Sequence, residues 1–189
     1  MSSIPRRSNL GQHWNLKEST IFLNHGSFGA CPNEVLEYQN KLRSELESDP
    51  VNFFDVNAKK LWAEAIEIFS DFINADKEGL VFVPNATSGV NTVLRSLDLE
   101  KDDEILVLDH TYQACWNTVD FVTERSGAKT VIANLPYPIE NSEQVIQTIL
   151  SYTTKRTKLA LIDTVTSPTG LRLPFETIVK ELQDRNIDF

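Results

Sequence analysis

VFVPNATSGVNTVL, residues 81–94, changes its apolar rhythm in the middle, and the change sets the fold. Apolar residues run almost without a break up to Pro84 and Asn85. Beyond them Val90, Val93, Leu94 and Leu97 fall at i, i+3, i+4 and i+7, the spacing of one buried helical face. A strand therefore runs into a helix, and Ala86, Thr87, Ser88 and Gly89 make up its first turn. The first N–H groups of a helix have no partner within it and lie at the positive end of its dipole. Small side chains let an anion reach those groups, and the Thr87 and Ser88 hydroxyls add donors, so the four residues form a candidate phosphate cradle. A plain helix cap by Asn85, Thr87 or Ser88 would use the same residues. The chain holds neither the Gly-Lys-Ser/Thr of a Walker motif nor a GxGxxG.

Working outward, the same strand-then-helix rhythm repeats. Apolar runs at 80–83, 104–108, 129–135 and 158–165 each lead to a helical pattern, at 87–97, 114–124, 142–153 and 174–186. Repeated β-then-α units predict an α/β fold, a mostly parallel sheet with flanking helices, over residues 79–189. Residues 1–78 read as an amino-terminal segment with helices. One carries Val35, Leu36, Leu42 and Leu46 between Pro32 and Asp49-Pro50. The other, about 55–75, carries Leu61, Trp62, Ala65, Ile68, Phe69, Phe72 and Ile73. Both are expected to pack on something larger. The closing IDF, residues 187–189, starts one more strand, so the sequence reads as an incomplete domain cut mid-strand, the amino-terminal part of a longer protein. Such an edge predicts aggregation or tight pairing with a partner.

Composition narrows the function. The chain has 189 residues, 41% of them hydrophobic, enough to bury a core. A net charge of -9 repels phosphate backbones and argues against a nucleic-acid partner. The opening MSSIPRRSNLGQHW has two arginines but no apolar stretch after them, and no later run reaches membrane-spanning length. A cytoplasmic protein without a membrane partner is the expectation. Cys31 and Cys115 form no CxxC pair and read as small buried hydrophobes. His13, His25 and His110 have no metal-ligand spacing, so no metal site is expected.

In parallel sheets ligands bind at the carboxyl ends of strands, where the connecting turns lie. Two further turns carry chemistry. LDHTYQACWN, residues 108–117, offers His110, Tyr112 and Trp116, any of which could serve a flat ligand or simply fill a core or interface. DTVTSPTGLRLP, residues 163–174, offers Thr164, Thr166, Ser167 and Thr169 as short-range donors, though an ordinary turn uses such residues too. A third segment, FLNHGSFGACP at 22–32, joins a free backbone to the polar Asn24, His25 and Ser27. A serine hydrolase is the reading HGSFG invites, but the GxSxG of a nucleophile elbow is absent.

Together and in this order, FLNHGSFGACP, NATSGVN, DHTYQACWN and DTVTSPTGLRLP resemble the class V aminotransferase family of pyridoxal-phosphate enzymes, of fold type I, and within it the isopenicillin N epimerase-like branch. The resemblance covers about residues 20–189. It implies that the cofactor phosphate sits on Ala86, Thr87, Ser88 and Gly89, and that a ring stacks on the pyridine from Tyr112, with Thr111 the neighbouring alternative. It implies a contact to the ring hydroxyl from Ser167, where desulfurase relatives carry Asn, and a substrate side lined by Asn24, His25 and Gly26. It implies a homodimer, and an amino-acid substrate undergoing epimerisation, transamination or carbon–sulfur cleavage by an isomerase, transferase or lyase. The family's ring-nitrogen aspartate, its cofactor-linking lysine and its carboxylate-binding arginine correspond to positions after Phe189, so the resemblance implies a chain that is inactive alone and binds cofactor weakly or not at all. A non-catalytic pseudoenzyme or dimerisation module that keeps the cradle stays open beside this, as does, more distantly, an α/β hydrolase fragment.

Overall fold

The computed structural model describes residues 8–189, and the tail that carries Arg6 and Arg7 lies outside the described residues. The chain divides into two units, Met1–Val81 and Phe82–Phe189.

The first unit is helical. It holds α1 (His25–Phe28), α2 (Asn33–Ser48), α3 (Pro50–Asn52) and α4 (Ala58–Ile73), with a π-helical turn, Phe53–Asn57, leading into α4. Pro32 is the N-cap of α2, and the Asp49 carboxylate accepts the Asn52 N–H at 3.3 Å to start α3. The helix expected from 55 begins at Ala58, because the preceding turn is wound wider. Among the described residues of this unit Phe53 is the one buried hydrophobic side chain. The α4 stripe that the sequence marks as a packing face is exposed at Trp62, Ile68, Phe69, Phe72 and Ile73, with Phe72 at 83%. Cys31 is exposed and not buried as expected, since it lies in the open segment before α2.

The second unit holds α5 (Ala86–Ser96), β1 (Glu104–Leu108), α6 (Gln113–Ser126), β2 (Lys129–Ala133), α7 (Ser142–Ser151), β3 (Thr157–Leu161) and α8 (Phe175–Gln183). The strands form a parallel sheet in the order β2-β1-β3. Successive strand residues face opposite sides, and β1 shows this on both of its faces. Ile105 and Val107 pack with Leu94, Val119 and Val122 of α5 and α6, whereas Leu106 and Leu108 pack with Val145, Ile149, Ile178 and Leu182 of α7 and α8. A strand covered twice must be apolar without alternation, which is why EILVL reads as it does. The expected strand at 80–83 is not formed: the segment is extended but in no ladder, and Val81 is 73% exposed. A strand needs a neighbour for its N–H and C=O groups, and no described segment pairs with this one. At the other edge Asp188 bridges to Leu159 in parallel, with Asp188 N–H donating to Lys158 O at 3.1 Å.

The amino end of the sheet is closed by charges. Lys129 Nζ lies 2.8 Å and Arg156 3.8 Å from Asp102, and Lys158 lies 3.8 Å from Asp103. The hydrogen bond from Lys129 and its charge hold the Asp102 carboxyl below its ordinary value.

Candidate functional site

Asn85 sets the geometry of the first candidate turn. It is the extended N-cap of α5, its side-chain Oδ1 accepts the Ser88 N–H at 2.8 Å, and its carbonyl accepts the Gly89 N–H at 3.1 Å. Two of the four cradle amides are thereby used. Among the described residues the amides of Ala86 and Thr87, and the hydroxyls of Thr87 and Ser88, donate to no protein acceptor. These four donors belong to the first turn of α5, at the positive end of its dipole, and all lie on exposed or half-buried residues. A Cβ at Gly89 would meet Val83 at 3.5 Å, an ordinary contact, so nothing within this unit demands glycine there.

The direction of α5 fixes where that end lies. Arg95 sits 4.3 Å over the Phe121 ring, and Leu94, Leu97, Phe121 and Val122 line one cavity of about 480 Å³ between the carboxyl halves of α5 and α6. The carboxyl halves of the two helices meet there, and the start of α6 follows the carboxyl end of β1. The cavity itself belongs to the opposite end.

At the start of α6, Tyr112 is the N-cap and 47% exposed. Its neighbour Thr111 is buried, with its hydroxyl accepting the Leu108 N–H at 3.0 Å, so of the two residues only Tyr112 presents a free ring or side-chain surface. The Tyr112 N–H donates to Asp163 Oδ2 at 3.2 Å, from the turn after β3. Burial pushes the Asp163 carboxyl above its ordinary value, with the Tyr112 hydrogen bond opposing. Burial, with the Asp163 charge second, pushes the Cys115 thiol up; Cys115 is buried as expected of a small hydrophobe. His110 Nδ1 lies 3.1 Å from Thr169 Oγ1, and Asp109 Oδ1 accepts the Leu135 N–H at 3.0 Å.

Ser167 stands on a small folded-back loop. Thr166 N–H donates to Leu171 O at 3.0 Å, Val165 bridges Arg172 antiparallel, and Gly170 turns the chain at φ +65°, where glycine has no Cβ to clash. Thr166 points inward, 2% exposed, while Ser167 is exposed at the tip. The structure thus links Tyr112 and the Ser167 loop through Asp163 and Thr169, which the sequence shows only as members of a hydroxyl-rich turn. No local pattern signals either link, because each joins residues more than fifty positions apart.

Asn24, His25 and Gly26 lie in the first unit. Asn24 is the N-cap of α1 and all three are exposed. The His25 ring meets Phe22 edge-on at 4.7 Å and Trp14 at 6.2 Å, and Trp14 Nε1 donates to Ala30 O at 3.0 Å. Among the described residues no group of three or more His, Cys, Asp or Glu could hold a metal ion, and no helix is long and apolar enough to cross a membrane.

The family model described as aminotransferase class-V matches residues 28–189. The chain is 27% identical over 180 residues to an L-cysteine desulfhydrase of Arabidopsis thaliana, covering 88% of this chain and 40% of the relative. It is 30% identical over 175 residues to an isopenicillin N epimerase of Streptomyces clavuligerus, covering 91% and 43%. A solved C-DES mutant with glycine covalently linked to its pyridoxal-phosphate cofactor superposes with a TM-score of 0.84 at 19% identity, over 92% of this chain and 46% of that one. The apo cysteine desulfurase of Thermococcus onnurineus NA1 does so at 0.78 and 18%, over 99% and 47%. The chain spans somewhat under half the length of these proteins.

Proposed function

The chain belongs to the class V aminotransferase family, whose cofactor is pyridoxal phosphate, and on that premise we propose that it forms the phosphate-gripping and ring-stacking part of an enzyme acting at or beside the α-carbon of an amino acid. The observation that carries the reading is the set of free donors at the start of α5, the amides of Ala86 and Thr87 with the hydroxyls of Thr87 and Ser88. Such a set fits a phosphate dianion and nothing apolar. Pyridoxal phosphate, when bound, supplies an electron sink for bonds at the substrate α-carbon.

The residues divide the holding work. Thr87 and Ser88 grip the phosphate. Tyr112 would offer its exposed ring to the pyridine face and keep water from it. Ser167 would reach the ring hydroxyl, and in the first unit, taken by itself, Asn24, His25 and Gly26 are the residues assigned to the substrate. Epimerisation, transamination and carbon–sulfur cleavage are the reactions this reading allows, in a cytoplasmic homodimer. The reading extends to a chain that, taken alone, holds the cofactor without a covalent bond and turns over no substrate.

Equilibrium dialysis of the purified chain against pyridoxal phosphate, followed by borohydride, tests the proposal. Binding that is lost in Thr87→Ala/Ser88→Ala and leaves no fixed adduct is the expected result. A stoichiometric adduct at one lysine would overturn the non-covalent part, and no preference for pyridoxal phosphate over inorganic phosphate would overturn the cofactor assignment.

A further inference from the structure

The turn after β1 and the turn after β3 are fastened to each other twice. The first fastening is the Asp163 carboxylate, which accepts the Tyr112 N–H at 3.2 Å. The second is a chain of hydroxyls: Leu171 N–H donates to Thr166 Oγ1 at 2.9 Å, Thr166 Oγ1 lies 2.7 Å from Thr169 Oγ1, and Thr169 Oγ1 lies 3.1 Å from His110 Nδ1. Two proton arrangements satisfy the whole chain: the hydroxyls donate toward an accepting Nδ1, or Nδ1–H donates and the hydroxyls pass the direction on to Leu171 O, which lies 3.4 Å from Thr166 Oγ1.

The positions of these bonds matter more than their number. Tyr112 is an N-cap with φ -58° and ψ 124°, so the direction in which its Cα–Cβ bond sends the side chain follows from how its backbone is held, and Asp163 holds that backbone at the nitrogen. Ser167 sits between the linked Thr166 and Thr169, so its place relative to His110 and Tyr112 is set by the hydroxyl chain. Neither fastening touches the start of α5, where Asn85 alone organises the free donors.

We propose that Asp163 and Thr169 are positioning residues that lock the Tyr112 ring and the Ser167 hydroxyl into one rigid clamp for the cofactor ring, separate from the phosphate grip on α5. The inference rests on the cofactor reading above. The clamp and the grip then contribute separately: a ligand with phosphate but no ring feels only the grip.

The test titrates the full chain by equilibrium dialysis with pyridoxal phosphate and, separately, with inorganic phosphate. Circular dichroism confirms that each variant is folded, and Thr169 is suited to substitution because it lies on an exposed loop. Thr169→Val and Asp163→Ala are expected to weaken pyridoxal phosphate roughly three- to tenfold, the effect of one lost hydrogen bond. They are expected to leave inorganic phosphate unchanged. Thr169→Ser and Asp163→Asn, which keep the hydroxyl and an acceptor oxygen, are expected to restore binding. If Thr169→Val and Asp163→Ala bind pyridoxal phosphate as the parent chain does, while Thr87→Ala/Ser88→Ala loses it, the clamp is refuted and the cofactor reading stands. Equal weakening of both ligands would make the role general to the fold and also refute the clamp. A parent chain with no preference for pyridoxal phosphate would overturn the cofactor reading and the clamp with it.

Discussion

Asn85 allows stability and anion binding to be driven in opposite directions by one atom. Its Oδ1 caps the Ser88 N–H at 2.8 Å on an exposed helix start. Asn85→Ala removes that acceptor and is expected to cost about 1 kcal/mol, roughly a fivefold shift toward the unfolded chain. Asn85→Asp keeps an acceptor in the same place and sets a negative charge against the helix dipole, which is expected to stabilise by about 0.3–1 kcal/mol. The same charge repels a phosphate at this helix end. A pair of unit charges about 4 Å apart in water costs about 1 kcal/mol, so a dianion is expected to bind roughly tenfold more weakly or worse. Urea unfolding followed by far-ultraviolet circular dichroism reads the first quantity, and dialysis against phosphate at low salt reads the second. A more stable Asn85→Asp chain that binds phosphate as well as the parent would refute the placement of an anion at α5. An Asn85→Ala chain that unfolds at the parent's urea midpoint would refute the cap.

Two further outcomes are expected. Ile149, at 0% exposure between α7 and the sheet, should lose about 2–5 kcal/mol when changed to Ala, and an unchanged urea midpoint would show that this face of the sheet is not packed as described. The acid-range pH dependence should carry two opposing slopes. Asp163, raised by burial above its ordinary 3.8, favours the fold below that value, and its contribution is lost as pH rises through its folded-state pKa. Asp102, lowered chiefly by Lys129, contributes above 3.8 and loses its contribution as pH falls. Asp163→Asn should remove the first slope and leave the second, and identical pH profiles of unfolding for the two chains would contradict the burial of Asp163.

Local pattern carries the fold where the cause of the structure is local. EILVL is a strand over the residues its composition marks, because a segment apolar on both faces has one stable place, the middle of a sheet. NATSG opens a helix because Asn85 caps it in place. Residues 80–83 are as apolar as β1 and form no strand, since strand formation depends on a neighbour and not on the segment itself. The candidate site divides in the same way. The donors of Ala86, Thr87 and Ser88 follow from one helix end and could be read from sequence. Asp163 under Tyr112 and Thr169 beside His110 could not, because the sheet order that brings them together is encoded in hydrophobic packing far from either residue. The ordered set of four turns narrows the family, yet it leaves unmarked the residues that tie those turns together.

The contrast between the two ends of the sheet has a consequence for how the molecule meets its solution. Asp102, Lys129 and Arg156 close one end with exposed or half-exposed ion pairs, and Lys158 lies beside the buried Asp103; the exposed pairs weaken as counter-ions crowd between them. The other end is held by backbone amides, threonine hydroxyls and one half-buried carboxylate, whose short hydrogen bonds ionic strength screens far less. Salt therefore acts first on the second unit's end far from the ligand turns, and weakens the joint between Tyr112 and the Ser167 loop much less.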